Sequence, residues 1–187
     1  MKVSSMADEP ADQQLVAKIA DGDTAALGEL VCRHQRRVLS LSYRMLGRWD
    51  QAEEASQEVF LKVYRAAPKY RPDALFTTWL YRIVVNQCLD MKRKAGRDPV
   101  SVDPASVEQI SREQDDRLEA RERARRVRLA VARLPQAQQT ALLLHRFEGR
   151  PVKQIAEVMG KSGSAVESLL VRAYARLREL LADMRDD

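Results

Sequence analysis

A chain of 187 residues can hold one ordinary domain or two small ones, and a hydrophobic content of 45% suffices for real cores. Aromatics at 5% and seven glycines, beside plentiful Ala, Leu, Arg, Glu and Gln, argue against strands and predict an all-α fold. The net charge of +5 is uneven: residues 100–120 hold 2 basic and 6 acidic side chains, whereas residues 121–182 hold 13 and 5. A basic block behind an acidic stretch suits a polyanionic partner, with a solvated basic face as the plain alternative.

In chain order, "MKVSSMADEPADQQ" has no apolar signal-like segment, and no run approaches the ~20 apolar residues of a membrane span, so a cytoplasmic protein is expected. "DGDTAALGEL" opens the first long helix, with Asp23 or Thr24 as cap and Leu27, Leu30, Val31, Val38, Leu41 and Met45 at helical spacing. Arg33, Arg36, Arg37 and Arg44 mark its wet side, and Gly47 is its natural stop. Asp50 starts a second helix, on which Ala52, Ala55, Val59, Val63 and Ala66 form one apolar stripe. Glu54, Gln57, Glu58 and Leu61 occupy a different, largely polar face.

After the loop "PKYRPDALF", the stretch "FTTWLYRIVVNQCLD" predicts a helix from near Thr77 to about Lys94. Six of the ten aromatic residues fall between Phe60 and Tyr81. Helical spacing sends Trp79, Leu80 and Ile83 inward, with Trp79 as the buried anchor, while Arg82 and Asn86 share another face. Tyr70 and Phe76, at the loop edge, are the rings placed to stack on something flat, which under the resemblance given below is a base. From Val100 to Glu119 the sequence is acidic and aperiodic, which predicts a linker. Cys32 and Cys88 form no CxxC pair and read as buried free thiols; neither a metal nor a cofactor is expected.

The second block begins near Ala120 with the basic amphipathic helix "ERARRVRLAVARL", stopped at Leu134-Pro135, then "QAQQTALLLHRFEG", ended by Gly149. Pro151 suits the first turn of a short helix in which Val152, Ile155, Ala156 and Met159 are spaced for burial. Gly160 stops it, and Ser164 can cap a last helix whose Val166, Leu169, Leu170, Ala173, Leu177 and Leu180 face inward. This is a helix-turn-helix pattern: Ala156 permits close crossing, Gly160 makes the turn, and Val166 plugs the angle. A structural hairpin without DNA binding is the alternative. In a DNA-binding motif the second helix enters the major groove, so Ser164, Glu167, Ser168, Val171 and Arg172 lie nearest the bases. Arg172 suits guanine and Glu167 a cytosine amino group; Lys161, Ser162 and Arg176 suit phosphate.

With both blocks read, the sequence resembles bacterial RNA polymerase sigma factors of the extracytoplasmic-function group, from about Gln14 to Leu181. In the first block the likeness rests on "AEEASQEVFLKVYRA" and "FTTWLYRIVVNQCLD"; in the second, on "LPQAQQTALLL" and "IAEVMGKSGSAVESLLVRAYARL". The resemblance implies two helical domains, 1–97 and 120–187, joined by an acidic flexible linker, 98–119. It implies core polymerase binding through Glu54, Gln57, Glu58 and Phe60, docked on the clamp coiled coil of the beta-prime subunit, with the beta subunit as a further partner. It implies minus-ten promoter DNA at Lys62, Tyr70, Arg71 and Asn86, and minus-thirty-five contacts at Ser168 and Arg172. An anti-sigma factor is expected as a regulatory partner. Glu167 stands where relatives often carry a basic residue, and Ala165 replaces a common threonine.

The expected mechanism is promoter recognition without an active site: two histidines, no Gly-rich phosphate loop and no nucleophile constellation leave nothing to catalyse with. The linker acids, Asp103, Glu108, Glu113, Asp115 and Asp116, could mimic nucleic acid in a basic channel or serve as soluble spacer. A free-standing helix-turn-helix regulator is the competing reading, and an RNA-binding or scaffold protein a third.

Overall fold

The computed structural model describes residues 9–73, 75–96 and 118–182, so most of the expected linker lies outside the described residues. Four helices form the first block: α1 (Glu9–Ala20), α2 (Thr24–Leu46), α3 (Trp49–Ala66) and α4 (Phe76–Lys94), with a 3-10 turn at Ala67–Lys69. Four more form the second: α5 (Leu118–Ala132), α6 (Gln136–Arg146), α7 (Val152–Met159) and α8 (Gly163–Leu180). The protein is all-α and built from two small helical units. The last two residues assigned to the linker, Leu118 and Glu119, belong to α5.

Local chemistry sets most of the boundaries. Asp23 caps α2, its carboxylate accepting from the amides of Ala25 at 2.9 Å and Ala26 at 3.1 Å. Gly47 closes the same helix at φ 79°, a left-handed conformation that costs glycine nothing. Helix α3 starts at Trp49 rather than Asp50, with Arg48 in the cap position. Leu30, Val38, Leu41, Ala52, Ala55, Val59, Val63, Phe76, Leu80 and Val84 fill the first core. Leu142, Leu143, Leu144, Ile155, Val158, Val166, Leu170 and Ala173 fill the second.

Helix α1 has no counterpart in the sequence reading, although Leu15, Val16 and Ile19 are spaced for one face and are all buried. It is fixed by Asp12, only 1% exposed, whose carboxylate lies 2.9 Å from His34 Nε2 and accepts from Arg33 Nη1 at 3.1 Å. The His34 ring in turn packs against Phe76, 5.3 Å between centroids, so one polar pair ties α1 and α2 to the start of α4. Three other expectations need correction. Cys32 is exposed; only Cys88 is a buried thiol, pushed up to about 11 by its burial. Arg37 and Arg44 are not on a wet face, because the second block packs over that end of α2.

The two blocks touch along two seams, α4 against α7 and α2 against α6. No helix among the described residues is long and apolar enough to cross a membrane. Because His34 Nδ1 is buried without a partner among the described residues, loss of Asp12 strips the ring of its one polar contact. Asp12→Ala should therefore destabilise the chain by about 1–3 kcal/mol in urea unfolding. A change within the ~0.5 kcal/mol of an ordinary surface site would remove the pair from any structural role.

Candidate nucleic-acid interface

Helices α7 and α8 meet at Gly160, held at φ 61° and ψ 40°, and its amide donates to Ala156 O to close α7. The cap of α8 is Ser162 rather than Ser164: its Oγ accepts from the Ala165 amide at 3.2 Å. Ser164 stands one position inside the helix and shares a 3.1 Å hydroxyl contact with Ser162. Pro151 is likewise the cap of α7, not a residue of its first turn. Ala156 and Val166 are buried at the crossing, which fixes the angle of the second helix.

That burial leaves one face of α8 to solvent. Lys161, Ser162, Ser164, Glu167, Ser168, Val171, Arg172 and Arg176 are all exposed, Val171 by 68%. The side chains are not equally free in chemistry. The Ser168 hydroxyl donates to Ser164 O at 2.9 Å, so the groove meets its acceptor lone pairs. Arg172 uses Nε on Ser168 O at 3.1 Å, which steadies the guanidinium while its terminal nitrogens point onward as donors. Arg176 pairs with Glu179 at 2.7 Å. From the helix start, the face thus offers acceptors at Glu167 and Ser168, methyl groups at Val171 and donors at Arg172.

In the first block, α3 and α4 supply two more surfaces. Glu54 and Gln57 are exposed and Glu58 is half-buried, but Phe60 is 8% exposed and belongs to the core. Its ring supports this face from beneath and does not present itself. The apolar members of the face are Leu61 at 44% and Tyr64 at 41% exposure. Tyr64 has no place in the sequence reading, although it follows Gln57 by two helical turns and Leu61 by three residues.

Around the start of α4, the rings are arranged otherwise than expected. Helix α4 begins at Phe76, which places that residue and Leu80 on the inner stripe; Phe76 is fully buried and cannot meet a base. Trp79 is half-buried on the flank, its ring 4.9 Å from Tyr70 and 5.8 Å from Phe76. Tyr70 is half-buried and closes the trio edge-on to Phe76 at 6.4 Å. Arg71 follows it and is exposed, and Asn86, about two turns along α4 from Trp79, is exposed as well. Lys62 reaches across from α3 to donate to Gln87 Oε1 at 2.6 Å, which ties the two helices together at this surface. Ile83 is half-buried as well, not fully inward.

An exposed helix-turn-helix face and a second polar surface with aromatic rings suit a nucleic-acid-binding protein of two helical domains. Comparison with known proteins narrows the class. Residues 30–98 match sigma-70 region 2 and residues 124–177 match sigma-70 region 4. The RNA polymerase sigma-H factor of Pseudomonas aeruginosa is 34% identical over 180 residues, covering 91% of this chain and 93% of that protein. The ECF RNA polymerase sigma factor SigM of Mycobacterium tuberculosis is 34% identical over 173 residues, covering 92% and 86%. Among solved structures, CnrH in complex with the cytosolic domain of CnrY aligns with a TM-score of 0.70 and 28% identity, over 92% of this chain and 98% of that one. RpoE of Bartonella quintana, solved with the anti-sigma factor NepR, shares the fold at a TM-score of 0.64 and 19% identity, over 83% and 96%. The chain belongs to the sigma-70 family, in its extracytoplasmic-function group, and its function is promoter-directed transcription initiation.

The assignment of the α8 cap is open to direct measurement. Ser162→Ala should cost about 1 kcal/mol of stability, and Ser164→Ala no more than a few tenths. Equal losses from thermal melts of the two variants would contradict the cap geometry.

Proposed function

We propose that residues 1–97 dock on core RNA polymerase and capture the minus-ten element, and that residues 120–187 read the minus-thirty-five element. The observation that supports this reading is the coexistence, in one chain, of an exposed reading face on α8 and a mixed acidic and apolar patch on α3. A protein that only reads duplex DNA has no use for the α3 patch. Glu54, Gln57, Glu58, Leu61 and Tyr64 form that patch, with Phe60 as its buried support. Apolar residues ringed by carboxylates fit a basic, partly apolar helical surface, in keeping with the clamp coiled coil of the beta-prime subunit; the beta subunit is a further partner.

Lys62, Arg71 and Asn86 hold the minus-ten strand by charge and hydrogen bonds, and Tyr70 is the ring available for stacking. Extruding a base from the duplex costs a few kcal/mol, while stacking on one ring returns about 1–3 kcal/mol. The polar contacts supply the rest. On α8, acceptors at Glu167 and Ser168 select exocyclic amino groups, Val171 packs on a thymine methyl, and Arg172 addresses guanine. Lys161, Ser162, Ser164 and Arg176 fix the register through phosphates.

The protein acts in the cytoplasm, as a transcription regulator and not an enzyme, and is held in check by an anti-sigma factor. CnrH, 28% identical to this chain, was solved with the cytosolic domain of CnrY, and that likeness supports a bound protein partner.

Run-off transcription with core enzyme on a genomic promoter library tests the whole reading; specific, tight promoter binding by the isolated chain would favour a free-standing regulator instead. Gln57→Ala/Glu58→Ala should lose association with core polymerase in a pull-down while keeping wild-type helicity, and undiminished capture would remove the α3 patch from the docking surface. Arg172→Ala should lower discrimination between matched and mismatched minus-thirty-five elements by roughly 1–3 kcal/mol. A uniform loss on every sequence would make Arg172 a phosphate contact.

A further inference from the structure

We propose that this chain holds itself closed through Glu148: the turn between α6 and α7 locks onto α2 and α4, and promoter recognition requires that lock to open. The lock is a matter of geometry; its role as an off-state rests on the sigma-factor reading given above.

Glu148 sits at the centre of the contact. Its side chain is 6% exposed, accepts from the Tyr81 hydroxyl at 2.7 Å and lies 3.8 Å from Arg37 Nε. Tyr81 is itself buried, and Arg150 lays its guanidinium over the Tyr81 ring at 5.1 Å while reaching Thr77 Oγ1 at 3.4 Å. Burial, and then the Glu148 charge, raise the Tyr81 pKa, so the phenol remains a donor. Three outer contacts surround this hub. Arg44 stacks on Phe147 at 4.8 Å, and Lys92 donates to Gln139 Oε1 at 2.8 Å. Arg82 donates to Glu157 O at 2.7 Å, on the last turn of α7, where carbonyls lack helical partners and attract a cation.

The closed form is incompatible with a whole promoter. Elements centred about 25 base pairs apart lie ~85 Å apart along B-DNA. A compact chain of this length has a radius of gyration near ~16 Å and spans only about 40 Å. Both reading surfaces therefore cannot sit on their elements while α7 rests on α4. Arg82, one helical turn from Asn86, is also tied down by the contact. By contrast Glu54, Gln57, Leu61 and Tyr64 on α3 stay exposed, so docking on polymerase can begin before opening.

The seam is also built to part. Apolar packing is continuous from one core to the other, but the hub is joined by individually weak polar contacts, and the packing is interrupted by a cavity of about 50 Å³ bordered by Arg44, Met45, Arg128, Val131, Leu143 and Phe147. Arg128 Nε and Nη2 are buried there without a hydrogen-bond partner among the described residues. Opening rehydrates them.

Small-angle scattering of the full chain should give a radius of gyration near ~16 Å for the wild type, rising toward ~25 Å in Glu148→Lys as two separate units replace one body. The ammonium introduced by that substitution would face Arg37 and Arg150, so Arg37→Glu/Glu148→Lys should bring the radius part of the way back. Circular dichroism establishes that each variant keeps its helices; if Glu148→Lys does not, the milder Glu148→Gln is measured and should expand less. A wild type that is already extended, or helical variants as compact as the wild type, would overturn the lock. In run-off transcription against increasing protein, Glu148→Lys should reach half-maximum at a lower concentration, by about tenfold where the closed form outnumbers the open one ten to one. An expanded variant with an unchanged midpoint would overturn the off-state role. Absence of run-off from both proteins would count against the sigma-factor reading, while scattering would still decide the lock.

Discussion

The structure depends on α4 having to satisfy three sets of neighbours around one helix. At 3.6 residues per turn, positions four apart share a face. Phe76, Leu80 and Val84 make the stripe that seals the first core, all fully buried. Thr77 and Tyr81, one position on, make the stripe that meets Arg150 and Glu148 of the second block. On a third line Arg82 reaches Glu157 O of the second block, and Asn86, one turn on, stays exposed. Moving any one stripe by a residue would place a polar group in the core or an aromatic ring in the reading surface, so the register of α4 constrains the whole molecule.

The stripes differ in kind, and that decides what yields first. Removing a buried phenylalanine such as Phe76 costs about 3–5 kcal/mol through transfer and cavity terms. An individual hydrogen bond such as Tyr81 to Glu148 contributes a net ~0.5–1.5 kcal/mol, because water replaces it when it breaks. The inner stripe holds the fold of the first block, while the seam only sets the distance between blocks. Each polar contact of the seam is therefore cheaper to lose than a ring of the inner stripe, although apolar packing also continues across the seam.

Local features are legible in the sequence because their causes are local. Glycine stops at Gly47 and Gly160, the Asp23 cap, the stripe of α3 and the Ala156–Gly160–Val166 turn each depend on residues within a few positions of one another. The α8 reading face is legible for the same reason, since it is the complement of the buried Val166, Leu170 and Ala173. What that face reads comes from resemblance, not from spacing. Several of the misses have the opposite cause. His34 meets Asp12 22 residues away, and Tyr81 meets Glu148 67 residues away, so neither pairing has a periodic signature. Arg37 and Arg44 look solvated in sequence because their partners lie in the other block. Helical spacing counted from near Thr77 favours Trp79 as the anchor, whereas the helix start at Phe76 gives the inner stripe to Phe76, Leu80 and Val84. The motif assigns Phe60 to a surface, while its own helical position puts it inside.

The arrangement also bears on specificity. A reader whose two surfaces work independently would settle on any sequence matching either one, and a chain of net charge +5 has a general attraction for DNA to resist. In the proposed closed form α8 stays exposed but lacks the additional contacts of α4, so an isolated chain would gain only half-site affinity. If the α3 patch docks as proposed, its exposure in the closed form makes the polymerase the partner that is met first. Binding energy gained there can offset the loss of the Glu148 contacts, and only then do the two reading surfaces act on one duplex. Order of assembly then follows from which surface is left uncovered, with no change in the fold of either unit.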